Sequence, residues 1–171
     1  MGAPAGDLPA GGSPYRIAVV CLGNICRSPM AEVVLTRKVE EAGLAGRVAV
    51  SSAGTGDWHV GEPIDPRAGA TLRGAGYDPS RHRAQQFGAG WLDHDLVLAM
   101  DATNLADVRV LADTTHDRDD GRVRMFRDFD PDGPGDVPDP WYGDAAGFDE
   151  VLAIVERTAD ALVVALRRAL R

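Results

Sequence analysis

The sequence predicts an α/β fold: a small doubly wound sheet of four parallel strands with helices on both faces. Three observations predict it. Short apolar runs rich in β-branched residues alternate along the chain with segments of helical periodicity, the pattern of a parallel sheet covered on both sides. The final segment repeats apolar residues at helical spacing throughout its length. Finally, 171 residues, 44% hydrophobic and 26% charged, suffice for one domain with a substantial core.

Residues 1–14, rich in Gly, Ala and Pro, read as a flexible N-terminal tail, and 15–171 as a single domain. The run RIAVVCL, bounded by Pro14 and Gly23, reads as a buried strand. A helix begins at Arg27 or Ser28, with Ser28 suited to cap it and Pro29 to its first turn. Val33, Val34, Val39 and Ala42 line one side of that helix, and Gly43 can end it. RVAVSSAG is a second strand, and DPRAGATLRGAG a second helix stopped by Gly74 and Gly76. HDLVLAM is a third strand, DATNLADVRVLA a third helix behind Asp101, and GRVRMF a short fourth strand. From Gly147 onward, Phe148, Val151, Leu152, Val155, Ala159, Leu162, Val163, Leu166 and Leu170 mark a long amphipathic helix packed on the sheet. The pattern breaks between 113 and 144. DTTHDRDDG is a charged connection, and RDFDPDGPGDVPDPWYGD is too rich in Pro, Gly and Asp for a regular element. A long loop within a compact domain is uncommon and often functional.

The net charge of −8 and pI near 4.9 argue against general nucleic-acid binding and against a basic membrane anchor. An anionic ligand would need a local positive site that works against the global field. No apolar run is long enough to span a bilayer, and residues 1–14 lack the basic and apolar regions of a secretory signal. The only cysteines, Cys21 and Cys26, make neither a disulfide framework nor a CxxC pair. A cytoplasmic protein with reduced thiols is the expectation, with no stable membrane association. His59, His82, His94 and His116 are scattered without metal-ligand spacing, so no metal site and no cofactor are expected. The sequence carries no signal for an oligomeric state.

In open α/β sheets, ligands sit beyond the carboxyl ends of the strands, where the first strand runs into CLGNICRS. Gly23 and Asn24 are the residues able to adopt positive φ and wrap this loop tightly. The amides from Leu22 to Ser28, with Ile25 and Cys26 between, can then point inward with a helix N-terminus behind them, making an anion site from backbone alone. Arg27 adds a planar fork that matches two phosphate oxygens. A cysteine at the base of such a cradle is favoured as its thiolate, and Ser28 can donate a hydrogen bond to the sulfur. The loop therefore reads as a phosphate-binding loop with Cys21 as nucleophile. Phosphoryl transfer also needs an acid for the leaving oxygen. The candidate is Asp139 in DPWYGD, held between two prolines and beside Trp141 and Tyr142, whose rings suit a phenyl leaving group. A lone strand-end cysteine is usually core, and a lone loop aspartate is usually solvated. It is the combination that points to chemistry.

CLGNICRS and DPWYG together resemble the low-molecular-weight protein tyrosine phosphatases, in particular the actinobacterial type, over nearly the whole chain from Tyr15. The resemblance implies phosphotyrosine proteins or peptides as substrates. It implies a phosphocysteine at Cys21, Arg27 as phosphate clamp, and Asp139 as acid and then base. It also implies that Asn24 and Ser28 hold the loop and thiolate, that Ser52 helps order Asn24, and that His82 supports the loop. Trp58, Trp141 and Tyr142 fall where the family lines its substrate cleft, with His59 at the rim. Trp141 stands where tyrosine is commoner. Asp65 and Arg67 match a structural Asp-x-Arg, which reads first as a helix start. Cys26 has two readings of equal weight, a reversible disulfide partner for Cys21 or a small packing residue. A protein arginine phosphatase on the same scaffold is disfavoured by the bulky, apolar Ile25. An arsenate reductase is disfavoured because it needs a further redox cysteine outside the loop. A non-catalytic phosphate-binding module is disfavoured by the complete set of nucleophile, arginine and acid.

Overall fold

In the computed structural model of the chain, residues 7–115 and 121–171 are described. Four strands, β1 (Tyr15–Cys21), β2 (Val48–Gly54), β3 (Leu96–Ala99) and β4 (Val123–Met125), form one sheet in the order β2-β1-β3-β4. All neighbouring pairs are parallel. Helices α1 (Arg27–Glu41), α2 (Pro66–Gly74), α3 (Ala102–Thr115) and α4 (Ala145–Ala169) complete the fold.

The period of two along β1 divides the interior. Ile17, Val19 and Cys21 face one core, shared with Val34 and Leu35 of α1 and with Phe148, Val155 and Leu162 of α4. Ala18 and Val20 face a second, smaller core with Phe87, Leu92 and Val108. Because β1 is central and covered on both sides, five of its seven residues are apolar side chains buried in sequence from Ile17 to Cys21. Its carboxyl end lies level with those of β2 and β3, since Cys21 pairs with Gly54 and Val20 with Ala99. The loops after β1, β2 and β3 therefore open at one edge of the sheet, where parallel α/β folds gather their ligand sites.

Several boundaries differ from the sequence expectation. Helix α1 begins at Arg27 as expected, but Cys26, not Ser28, stands at its N-cap position, with no side-chain capping bond. Ser28 is turned toward Cys21 instead of capping. Helix α3 runs on to Thr115, while His116 and the rest of the charged connection to Asp120 lie outside the described residues. Helix α4 starts at Ala145, ahead of Gly147, because the Asp144 carboxylate accepts from Ala146 N–H and caps it. Two short 3-10 helices, Ala89–Asp93 and Phe126–Phe129, were not expected. The second reaches into the proline-rich segment because Phe126 and Phe129, three apart, both enter the core. Of residues 1–14, 7–14 are described. Leu8 packs against the main core, the Tyr15 hydroxyl donates to the Pro9 carbonyl (3.0 Å), and Gly12 N–H donates to Asp95 (3.2 Å).

The proline-rich segment is pinned at both ends. Val137 N–H donates to the Met100 carbonyl at the end of β3 (2.7 Å). At the other end, the buried Asp130 carboxylate accepts from Arg157 of α4 through Nε (2.7 Å) and Nη2 (2.8 Å), and from Arg127 Nε (2.9 Å). These partners, the Arg157 hydrogen bonds foremost, hold the Asp130 carboxyl well below the ordinary aspartate value of 3.8. A depressed folded-state value means that its stabilisation is present above the unfolded-state value and is lost as pH falls through the folded one. Asp130→Ala, which removes the carboxylate shared by Arg127 and Arg157 and leaves them Asp132 and the Gly133 and Asp136 carbonyls, is expected to cost about 1.5–3 kcal/mol near neutral pH by urea unfolding. The deficit relative to wild type should shrink as pH drops below about 4.

Candidate active site

The loop 22–26 between β1 and α1 turns on Asn24, which sits at φ 56, the one non-glycine with positive φ among the described residues. Its groups are engaged on every side. The side-chain amide donates to Ser28 Oγ (2.7 Å) and Ser52 Oγ (2.9 Å), and the side-chain oxygen accepts from Gln85 N–H (2.9 Å). Its carbonyl accepts from His82 Nε2 (2.6 Å), which fixes that nitrogen as the protonated one, and its backbone N–H points at Cys21 Sγ (3.3 Å). Ser52 in turn donates to Glu32 Oε2 (2.9 Å), which faces His82 Nδ1 at 3.5 Å, so the network closes on itself. Gly54 packs against the loop from β2. A Cβ there would lie 2.6 Å from the Leu22 carbonyl and 3.0 Å from Asn24 N.

Cys21 is buried, with Ser28 Oγ 3.0 Å from its sulfur. Ser28 already accepts from Asn24, and its other neighbour, the Ala53 carbonyl, is more distant at 3.5 Å. When the sulfur is a thiolate, the Ser28 hydroxyl is the donor of this pair. The first amides of α1, which lack intrahelical acceptors, lie behind the same loop. Cys26 is buried beside them as a free thiol, and burial, ahead of the nearby Asp65 charge, pushes it above the ordinary thiol range.

Arg27 is almost fully buried. Its Nη1 donates to Asp101 Oδ2 (2.7 Å) and to the Val137 carbonyl (3.0 Å), while Nη2 lies 3.7 Å from Asp139 Oδ2. Asp101 also caps α3 through Asn104 N–H (2.7 Å). Asp139 is 41% exposed and accepts from Trp141 N–H (3.0 Å). A cleft of about 210 Å³ is lined by Cys21, Leu22, Gly23, Ile25, Cys26 and Arg27 at its base, and by Trp58, His59, Asp139, Trp141 and Tyr142 at its walls. The His59 ring lies 6.0 Å from that of Trp141 and packs over Gly23, with its Nδ1–H donated to Glu62 (2.7 Å). Trp58 and Tyr142 are 67% and 92% exposed, so the mouth of the cleft presents aromatic faces to solvent. Ser52 and His82 lie behind the loop and outside the cleft.

Sequence reasoning missed Glu32, Asp101, Val137 and Glu62. Asp101 had a usable signal, since it follows the third strand at the edge where sites gather, but it was read only as a helix cap. Glu32 is one acid on an amphipathic helix and gives no signal. Among the described residues, no cluster of three or more His, Cys, Asp or Glu is placed to hold a metal, and no helix is long and apolar enough to cross a membrane.

This arrangement suits a tetrahedral dianion bound by backbone amides and a guanidinium, beside a sulfur nucleophile and a carboxyl group. Comparison with known proteins points the same way. The profile described as low molecular weight phosphotyrosine protein phosphatase matches residues 16–171. A low molecular weight protein-tyrosine-phosphatase of Streptomyces coelicolor is 49% identical over 157 residues, covering 90% of this chain and 94% of its own. Low molecular weight protein-tyrosine phosphatase A of Mycobacterium bovis is 45% identical over 146 residues, covering 84% and 86%. The crystal structure of YfkJ from Bacillus subtilis superposes with a TM-score of 0.85 at 32% identity, covering 95% of this chain and 100% of that one. The chain belongs to the low molecular weight phosphotyrosine protein phosphatase family.

Proposed function

We propose that the protein hydrolyses phosphotyrosine in proteins or peptides through a phosphocysteine intermediate. The observation that carries this is the convergence of Cys21, Arg27 and Asp139 on one aromatic-walled cleft. The phosphoryl group sits in the cradle of loop amides with two of its oxygens on the Arg27 fork. The Cys21 thiolate, steadied by Ser28 and the Asn24 amide, attacks phosphorus in line. As the P–O bond breaks, Asp139 in its acid form gives its proton to the departing tyrosyl oxygen. Asp139, now a carboxylate, takes a proton from water as that water attacks the phosphocysteine. The S–P bond then breaks to release inorganic phosphate and restore the thiolate. Asp101 holds the guanidinium in plane, and the network behind Asn24 keeps the amides aimed before substrate arrives. The aromatic lining of the cleft by Trp58, Trp141 and Tyr142 suits a phenyl group, and Ile25 adds an apolar side chain to that lining.

Cys21→Ser should abolish turnover of a phosphotyrosine peptide while inorganic phosphate still binds, as read by calorimetric titration. Asp139→Ala should lower kcat/KM for phenyl phosphate by about 10²–10⁴ and leave the inhibition constant of inorganic phosphate nearly unchanged. Normal turnover in that variant would assign the acid elsewhere. Phosphotyrosine and phosphoarginine versions of one peptide, assayed side by side, should favour phosphotyrosine in kcat/KM. The reverse order would replace the proposed substrate.

A further inference from the structure

We propose that Arg67 is the positioning residue for the general acid: it ties the Asp139 loop to the phosphate loop through Asp65, so that acid and nucleophile are held in register. This rests on Asp139 being the acid.

The link is continuous. Asp65 N–H donates to the Ile25 carbonyl of the phosphate loop (2.8 Å), which anchors the start of α2 to the cradle. The Asp65 carboxylate, itself buried, accepts from Arg67 Nε and Nη2, both at 3.1 Å, and from Arg67 N–H at 2.8 Å. The guanidinium is thus fixed along one edge. Its remaining nitrogen, Nη1, donates to the Trp141 carbonyl (3.1 Å). Its Cζ lies over two rings, 5.2 Å from the centre of Trp141 and 4.9 Å from that of Phe148 at the start of α4. Trp141 N–H then donates to Asp139 Oδ1 (3.0 Å), which leaves Oδ2 toward Arg27 and the cleft.

The other hydrogen bonds described for residues 138–143 are internal to the loop, Trp141 N–H to Asp139 and Gly143 N–H to Pro140. Among the described residues, the Arg67 bond is the one hydrogen bond that reaches this segment from the rest of the fold, beside the ion pair of Arg27 Nη2 with Asp139 Oδ2 at 3.7 Å and the ring contact of His59 with Trp141. The loop is otherwise largely exposed. A general acid must be within hydrogen-bond reach of the leaving oxygen, and a misplacement of about 1 Å can cost up to about 10²-fold in rate. Lysine cannot replace this residue, because a point charge on a flexible stem cannot hold the Asp65 carboxylate with two nitrogens and donate to Trp141 at once.

The test is leaving-group dependence, measured as kcat/KM on aryl phosphates from phenyl to 2,4-dinitrophenyl, the last of which departs without needing a proton. Arg67→Met, which keeps an apolar stem on the two rings, should lower kcat/KM for phenyl phosphate about tenfold. For 2,4-dinitrophenyl phosphate the change should stay within about twofold. Arg67→Lys should show the same slope and serves if the Met variant fails to fold. Arg67→Met added to Asp139→Ala should bring no further loss on phenyl phosphate, because the acid being positioned is gone. The inhibition constant of inorganic phosphate should not move in either single variant. An equal loss across all leaving groups, or a further loss on top of Asp139→Ala, would reduce Arg67 to general structural support and overturn the inference. A steep dependence for Asp139→Ala with a flat one for Arg67→Met would leave the acid in place and remove only its positioning residue. A flat dependence for Asp139→Ala itself would instead overturn the choice of acid.

Discussion

The backbone of Asn24 is held in the left-handed region, and the geometry around Cys21 follows from it. That conformation costs a non-glycine residue about 1–2 kcal/mol. Four hydrogen bonds to Asn24, from its side chain to Ser28, Ser52 and Gln85 and from His82 to its carbonyl, at about 1 kcal/mol each, outweigh it. Asparagine is well chosen for both halves of this balance. It tolerates positive φ better than most residues, and its amide both donates and accepts, so one side chain reaches the serine beside the sulfur and the strand behind it. Glycine would make the turn but leave Ser28, Ser52 and the Gln85 amide without their common partner.

The electrostatics are as local as the geometry. The protein carries a net charge of −8, and Arg27 is further shared between Asp101 and Asp139. The proposed anion site relies on amides at a helix start as much as on the guanidinium, and such dipoles cost nothing to reorient. Asp101 fixes the orientation of the fork and leaves Nη2 turned toward the cleft. One carboxylate thus serves two structures, capping α3 with one oxygen and holding Arg27 with the other.

Fold class and element order were legible because each strand lies in a short run with apolar residues and each helix carries either a cap or an apolar stripe. The errors lie where a side chain answers to the site before the helix. Ser28 has the chemistry of a cap but is committed to Cys21, and Phe126 and Phe129 draw a proline-rich segment into a turn that its composition argues against. The cleft was partly legible, since Cys21 closes a strand and Asp139 sits in an irregular loop. The partners that unite them were not. Glu32 and Asp101 act through contacts made only by the packed fold, and in one dimension each is an ordinary acid in or beside a helix; Arg67 is singled out by the Asp-x-Arg match, but its reach to Trp141 is not.

The buried Arg27 has a bearing on how the chain comes to life. Its two hydrogen-bond partners, Asp101 and the Val137 carbonyl, lie far downstream, as do His82 and Gln85, which steady Asn24. On the ribosome the signature loop emerges early, and its partners Ser52 and Asp65 soon follow, but the contacts that orient Arg27 wait until Asp101 and Val137 have been made. An unfinished or truncated polypeptide therefore displays the full motif before its guanidinium can be fixed in place.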